Sequence, residues 1–121
     1  FQKARLAGAN FTAASAPGAD FTGAALGKAA MRAGDFTGAN FTGADLTGAS
    51  LSGSTLSGAS VSRAFAPGGL FVDVIADGAD FSGTDLRAAK FTGASLRDVK
   101  FAAADLAGAD FSGARLQGAD L

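Results

Sequence analysis

The chain has 121 residues, which is enough for one domain, and a formal net charge of −1. This near-neutral balance gives no electrostatic reason to expect nucleic acid or an anionic membrane as a partner. His, Cys and Glu are absent, so the sequence lacks disulfides, thiolate or imidazole metal ligands and the common nucleophile–base pairs. We therefore predict no catalytic site, no metal site and no cofactor.

From Phe1 onward, the sequence follows a period of five residues. Every fifth residue, called position i, is apolar in all 25 cases, and ten of the 11 Phe occupy this position. Position i−2 is Ala in 18 of 24 cases, and all charged residues lie at the other three positions. Because an unpaired charge is costly in a core, positions i and i−2 are predicted to point inward.

A period of five fits neither an α-helix nor a plain strand, which favour apolar residues at spacings of 3.6 and 2. A coil whose sides are five residues long does fit it. Gly occupies position i+2 in 15 of 24 repeats, which predicts a corner that requires either positive φ or a close backbone approach.

Segments such as 39–43, Ala-Asn-Phe-Thr-Gly, and 44–48, Ala-Asp-Leu-Thr-Gly, resemble the pentapeptide repeat family pattern A-(D/N)-(L/F)-(S/T)-G. The resemblance covers almost the whole chain and implies an all-β fold, a right-handed quadrilateral parallel β-helix with 20 residues per coil. About six coils follow, with residues 1–121 as one domain. The predicted core ladder consists of Phe1, Phe21, Phe41, Phe81 and Phe101, with Leu26, Leu46, Leu86 and Leu106 in the next column.

The pattern weakens twice along the chain. Residues 14–18 contain Ala16 and Pro17, and residues 63–77 place large apolar side chains at outward positions. One interpretation of 63–77 is an irregular coil or loop excursion, because Pro67-Gly68-Gly69 is a turn signal. The other is an exposed patch that binds a partner, formed by Phe65, Leu70, Val72 and Ile75.

The chain begins without Met and ends inside a repeat, so we expect a piece of a longer protein. The resemblance implies a non-catalytic protein–protein interaction or scaffold module of a bacterial protein, with a protein partner and a cytoplasmic location or attachment to a secretion-associated protein. The alternative is a DNA-mimicking inhibitor of a type II topoisomerase (gyrase), a role that some family members have.

Three further expectations concern surfaces. The alternation of Arg87, Arg97, Lys90 and Lys100 with Asp residues indicates a mixed solvated face, with no direct nucleic-acid site. The column Thr22, Thr42, Ser62 and Ser82 is a weak candidate for ice binding, because it is short and half Ser. Open coil ends predict end-to-end self-association.

Overall fold

The computed structural model describes all 121 residues as one continuous four-sided β-helix. It contains no helix and no strand longer than one residue. Instead, each residue at position i−1, from Arg5 to Asp120, forms a parallel β-bridge with the residue 20 positions away. One coil is therefore 20 residues, and six coils, residues 1–20, 21–40, 41–60, 61–80, 81–100 and 101–120, stack along the axis. We number these coils 1 to 6 and the sides 1 to 4, with side 1 centred on Phe1 in coil 1.

Backbone hydrogen bonds explain why the sides are straight and the corners sharp. Each coil bonds to the next on both strand edges, as in Leu26 N to Asp45 O at 2.7 Å and Asp45 N to Ala24 O at 2.9 Å. At 22 of the 24 corners the N–H of the next i−2 residue returns to the carbonyl of residue i, as in Ala24 N to Phe21 O at 2.9 Å.

All 24 residues at position i+2 have positive φ, and nine of them are not Gly. A positive φ at the third residue of such a turn is the geometry of a type II β-turn, in which Gly is favoured. The structure therefore has the corner geometry that the Gly spacing predicts, and it keeps this geometry where Lys28, Arg63 or Asp73 replaces Gly.

Polar residues on either side of position i support nine of the 24 corners. A carboxylate or amide at i−1 accepts the N–H of i+1, as Asp20 does from Thr22 at 2.9 Å and Asn40 from Thr42 at 3.0 Å. Side chains of this kind stabilise turns by mimicking a backbone acceptor. This explains the frequent pairing of Asp or Asn at i−1 with Thr or Ser at i+1.

Apolar columns at positions i and i−2 fill the core. Phe21 and Phe41 stack in parallel with ring centroids 4.8 Å apart, and Phe91 packs edge-on against Phe81 and Phe101 at 5.7 and 6.0 Å. Of the predicted ladder, Phe1 is 58% exposed and Leu106 is half-buried, because they lie in the end coils. The remaining ladder residues are buried: Phe21, Phe41, Phe81, Phe101, Leu26, Leu46 and Leu86.

The irregular coil or loop excursion predicted for residues 63–77 is not found. Phe65, Leu70 and Ile75 form the same bridges as every other i−1 residue, and Phe65 N donates to Ala44 O at 2.9 Å. The backbone requires small or apolar residues only at i and i−2, and Ala64, Ala66, Val74 and Ala76 meet that requirement. Large side chains at i−1 point outward and leave the coil regular.

Candidate interaction surface

The four residues predicted to bind a partner all lie in coil 4, but on three different sides. Phe65 is on side 2, Leu70 and Val72 are on side 3, and Ile75 is on side 4, opposite Phe65. Phe65 is 47% exposed and Ile75 is 48% exposed, whereas Leu70 and Val72 are half-buried. These four side chains are distributed over three sides of the rod, with the exposed Asp73 at the corner between Val72 and Ile75, and we call them the apolar belt.

The core behind this belt has smaller side chains than the coils above and below. Ala66 replaces the Leu found at 46 and 86, and Ala76 replaces the Leu found at 56 and 96. Coil 4 therefore buries less apolar side chain inside while exposing more outside.

A shift of the register by one residue would turn Phe65, Leu70 and Ile75 inward. The same shift would move Arg63 and Asp73 to the inward i−2 position. Each buried apolar side chain contributes about 1.5–3 kcal/mol. The cost of burying the two unpaired charges exceeds the contribution of these three apolar side chains. The observed register, with the belt outside, is the favourable one.

Carboxylates surround Phe65 along side 2. Asp45 and Asp85 bridge to Phe65 from the coils on either side, and Asp105 follows in the next coil. Arg87 binds Asp85 through two bonds, Nε to Oδ1 at 2.9 Å and Nη2 to Oδ2 at 2.7 Å, and lies 3.8 Å from Asp105. The hydrogen bonds from the Arg87 side chain lower the pKa of Asp85, and Asp85 in turn raises the pKa of Arg87.

Asp45 has a different environment from Asp85. Its Oδ1 accepts the Thr47 N–H at 2.9 Å and the Thr47 hydroxyl at 2.6 Å, and no Lys or Arg forms a salt bridge with it. The spacing of 20 residues between Asp45 and Phe65 is enough to place them side by side in a four-sided coil. The sequence therefore contained this information, although Asp45 was not among the predicted site residues.

Hydroxyl and ionic groups surround Ile75 on the opposite side. Its bridge partners are Thr55 and Ser95. Asp77 accepts hydrogen bonds from Ser95 Oγ at 2.7 Å and Arg97 N at 3.0 Å. Partial burial raises the pKa of Asp77, but these two bonds and the charge of Arg97 outweigh it and leave the pKa lowered.

Charged residues are balanced on every side of the rod. With each corner counted with the side before it, sides 1 and 2 each carry three Asp and three basic residues, side 3 carries two of each, and side 4 carries three Asp and two Arg. Lys100, Arg87, Lys90 and Arg97 lie on four different sides. The rod therefore has neither a continuous acidic side nor a basic patch.

The structure has no pocket, and no group of three or more Asp side chains is arranged to hold a metal ion. No helix of the length and apolarity needed to cross a membrane is present. No buried side-chain polar atom lacks a hydrogen-bond partner.

The family model for pentapeptide repeats matches the chain in eight copies, over residues 1–32, 35–68, 56–93, 70–101 and 94–121. No curated protein matches the chain by sequence.

Several solved structures resemble the chain. A pentapeptide repeat protein from the Arabidopsis thaliana thylakoid lumen is 32% identical with a TM-score of 0.80, covering 81% of this chain and 68% of that one. HetL of Nostoc sp. PCC 7120, involved in heterocyst differentiation regulation, is 24% identical with a TM-score of 0.53, covering 100% and 73%. QnrB1, a plasmid-mediated fluoroquinolone resistance protein, is 26% identical with a TM-score of 0.50, covering 84% and 60%. Because the pentapeptide repeat model matches nearly the whole chain and the structure is a four-sided β-helix, the chain belongs to the pentapeptide repeat family and forms the right-handed quadrilateral β-helix of that family.

Proposed function

We propose that the chain is a rigid, non-catalytic protein-interaction module whose partner binds the apolar belt of coil 4. The observation that carries this proposal is the exposure of Phe65 and Ile75, at 47% and 48%, on a coil whose backbone is hydrogen bonded to the coils on both sides. Large apolar side chains that remain exposed on an ordered surface are typical of binding sites. The pentapeptide repeat backbone holds them without any ordering step on binding.

The belt divides into two separate contacts. Phe65 and Ile75 are on opposite sides of the rod, so a single flat partner surface cannot cover both. Either one partner contacts both residues by wrapping around side 3, where Leu70 and Val72 lie, or two partners bind at once, one to Phe65 and one to Ile75. Both arrangements suit a scaffold, because the rod fixes the distance between the contacts.

The experiment compares the wild-type chain with Phe65→Ser/Ile75→Ser in capture from a lysate of the source organism. The control is Ala25→Ser/Thr55→Ser, which changes the same two columns in other coils. We expect one or more proteins to be captured by the wild type and by the control, and lost with the belt variant. Equal capture by all three chains, with unchanged far-UV circular dichroism, contradicts the proposal.

A DNA-mimicking topoisomerase inhibitor is the second candidate, and its support is the similarity to QnrB1. The charge balance on all four sides argues against it, because a mimic of duplex DNA needs a continuous negative surface. A gyrase supercoiling assay at micromolar protein decides between the two: we expect no inhibition, and inhibition would favour the mimic.

A further inference from the structure

Phe65 is the only Phe of the chain at an outward position, and it lies in a column of carboxylates. Asp45 is its bridge partner in coil 3 and Asp85 in coil 5. Stacked strands are about 4.8 Å apart, so the backbones of both Asp residues lie one strand spacing from the backbone of Phe65. An exposed aromatic face with negative charge on either side is a favourable place for a cation.

Of these two carboxylates, only Asp45 lacks a cationic partner. Arg87 occupies Asp85 with two hydrogen bonds, whereas Thr47 binds only Oδ1 of Asp45. Asp45 is an exposed residue, and its Oδ2 takes part in no hydrogen bond. The open position is therefore on the coil 3 side of Phe65.

Small residues keep this position accessible. Along side 2 the neighbours of Asp45 and Phe65 include Ala25 and Gly27, and the corners of their own coils are Gly48 and Gly68. The side chain of Lys28 lies over Gly48, with its Cγ 3.8 Å from a Cβ built there. A Cβ built at Gly68 would have no heavy atom within 4 Å, so the corner that follows Phe65 in its own coil is open.

We infer that Phe65 and Asp45 together bind an arginine side chain presented by an extended segment of a protein partner; this inference rests on the proposed interaction function. A guanidinium is planar, so it can stack on the ring while its N–H groups bond to the carboxylate, and an ammonium group cannot do both. Arg87 on Asp85 shows the same bidentate pairing in the same column. The partner's arginine supplies a second contact of this kind on Asp45, two coils earlier.

The test is a ¹⁵N NMR titration of the 121-residue chain with the peptide acetyl-Gly-Gly-Arg-Gly-Gly-amide. Peptides with lysine or citrulline in place of arginine serve as matched probes. We expect the arginine peptide to shift the amides of residues 27, 45 and 65–68, and to bind about two- to fivefold more tightly than the lysine peptide. The citrulline peptide, which lacks the charge, should bind more weakly than both.

Three variants assign the contacts. Phe65→Ser and Asp45→Asn should each weaken binding of the arginine peptide by about two- to fivefold, since each removes one of the two contacts. Ile75→Ser, an equally exposed apolar position on the opposite side, should leave binding unchanged. Unchanged spectra elsewhere confirm that the variants remain folded.

Several outcomes overturn the inference: equal binding of the arginine and lysine peptides, shifts spread over Asp residues on all four sides, or no effect of Phe65→Ser. If the diffusion coefficient of the wild-type chain falls as protein concentration rises, and that of Phe65→Ser does not, a second copy of the chain occupies the site. This result would also overturn the inference. If lysate capture depends on Phe65 while the arginine peptide fails, the interaction function stands and only the arginine assignment is wrong.

Discussion

Replacing Gly34 with Ala tests how the core accommodates its phenylalanine rings. Gly34 is a buried i−2 residue, where most repeats have Ala. A Cβ at this position would lie 2.5 Å from Cε2 and 2.9 Å from Cζ of Phe36, and 3.2 Å from the Ala14 carbonyl oxygen. Ordinary contact begins near 3.4 Å, so the ring would have to move by about 1 Å.

The ring of Phe36 has little room for that movement. Its centroid is 6.0 Å from Phe41 and 6.2 Å from Phe21, in edge-to-face contacts with both rings. Overpacking of a well-filled core costs about 1–3 kcal/mol, and we expect Gly34→Ala to lie at the upper end, about 2–3 kcal/mol. Urea unfolding followed by far-UV circular dichroism measures this loss.

A matched substitution separates steric from conformational cost. Gly43 has a φ of +65° and no heavy atom within 4 Å of a built Cβ, so Gly43→Ala costs only its backbone strain, about 1 kcal/mol. Phe36→Leu should recover about 1–2 kcal/mol in the Gly34→Ala background and nothing in the Gly43→Ala background. The reasoning is refuted if Gly34→Ala costs no more than Gly43→Ala, or if Phe36→Leu brings no relief.

Three further predictions concern the core, acid stability and the ends. Phe41→Asp should unfold the middle coils, because it buries a charge at a fully buried position; limited proteolysis should show lost resistance, and retained resistance would contradict this. Hydrogen bonds from Thr22 and Gln2 lower the pKa of Asp20 to about 2, and Asp35 and Asp80 shift in the same direction. A carboxyl whose pKa is lower in the folded state stabilises the fold at pH values above its unfolded-state pKa, so the melting temperature should fall as pH drops from about 4 to about 2. Asp20→Asn should weaken this pH dependence, and a melting temperature that does not change with pH would argue against it. The 121-residue chain should self-associate end to end, because the coil 1 N–H groups of the i−1 residues find no backbone acceptor; concentration-independent monomers by light scattering would refute this.

Much of the fold could be predicted from the sequence because the repeat constrains each position separately. Charge never enters positions i and i−2, and Gly recurs where φ is positive, so the inward columns and the corners were accessible from the period alone. Four sides and right-handedness required the family resemblance, since a period of five is compatible with other numbers of sides.

The error at residues 63–77 has a physical cause. Pro67-Gly68 does mark a turn, but the turn is an ordinary corner of the coil, with Gly68 at φ +65°. Outward apolar side chains at i−1, such as Phe65, leave the bridges of the coil intact. Two features were also missed. Gly34 and Gly69 are the only Gly at i−2, and each comes two residues before a Phe whose ring fills the space of the missing Cβ.

Because β-bridges join residues 20 positions apart, each pentapeptide forms one of the four sides and advances the chain by a quarter of a coil. Insertion of one pentapeptide between coils 3 and 4 would preserve every inward and outward position, yet it would rotate all later residues by one side. Phe65 would then leave the column of Asp45 and stack on Ser50 instead. Insertion of four pentapeptides would restore the original alignment and only lengthen the rod. In this fold, the surface pattern is therefore set by the number of repeats between two residues, modulo four, and can change while the core stays the same.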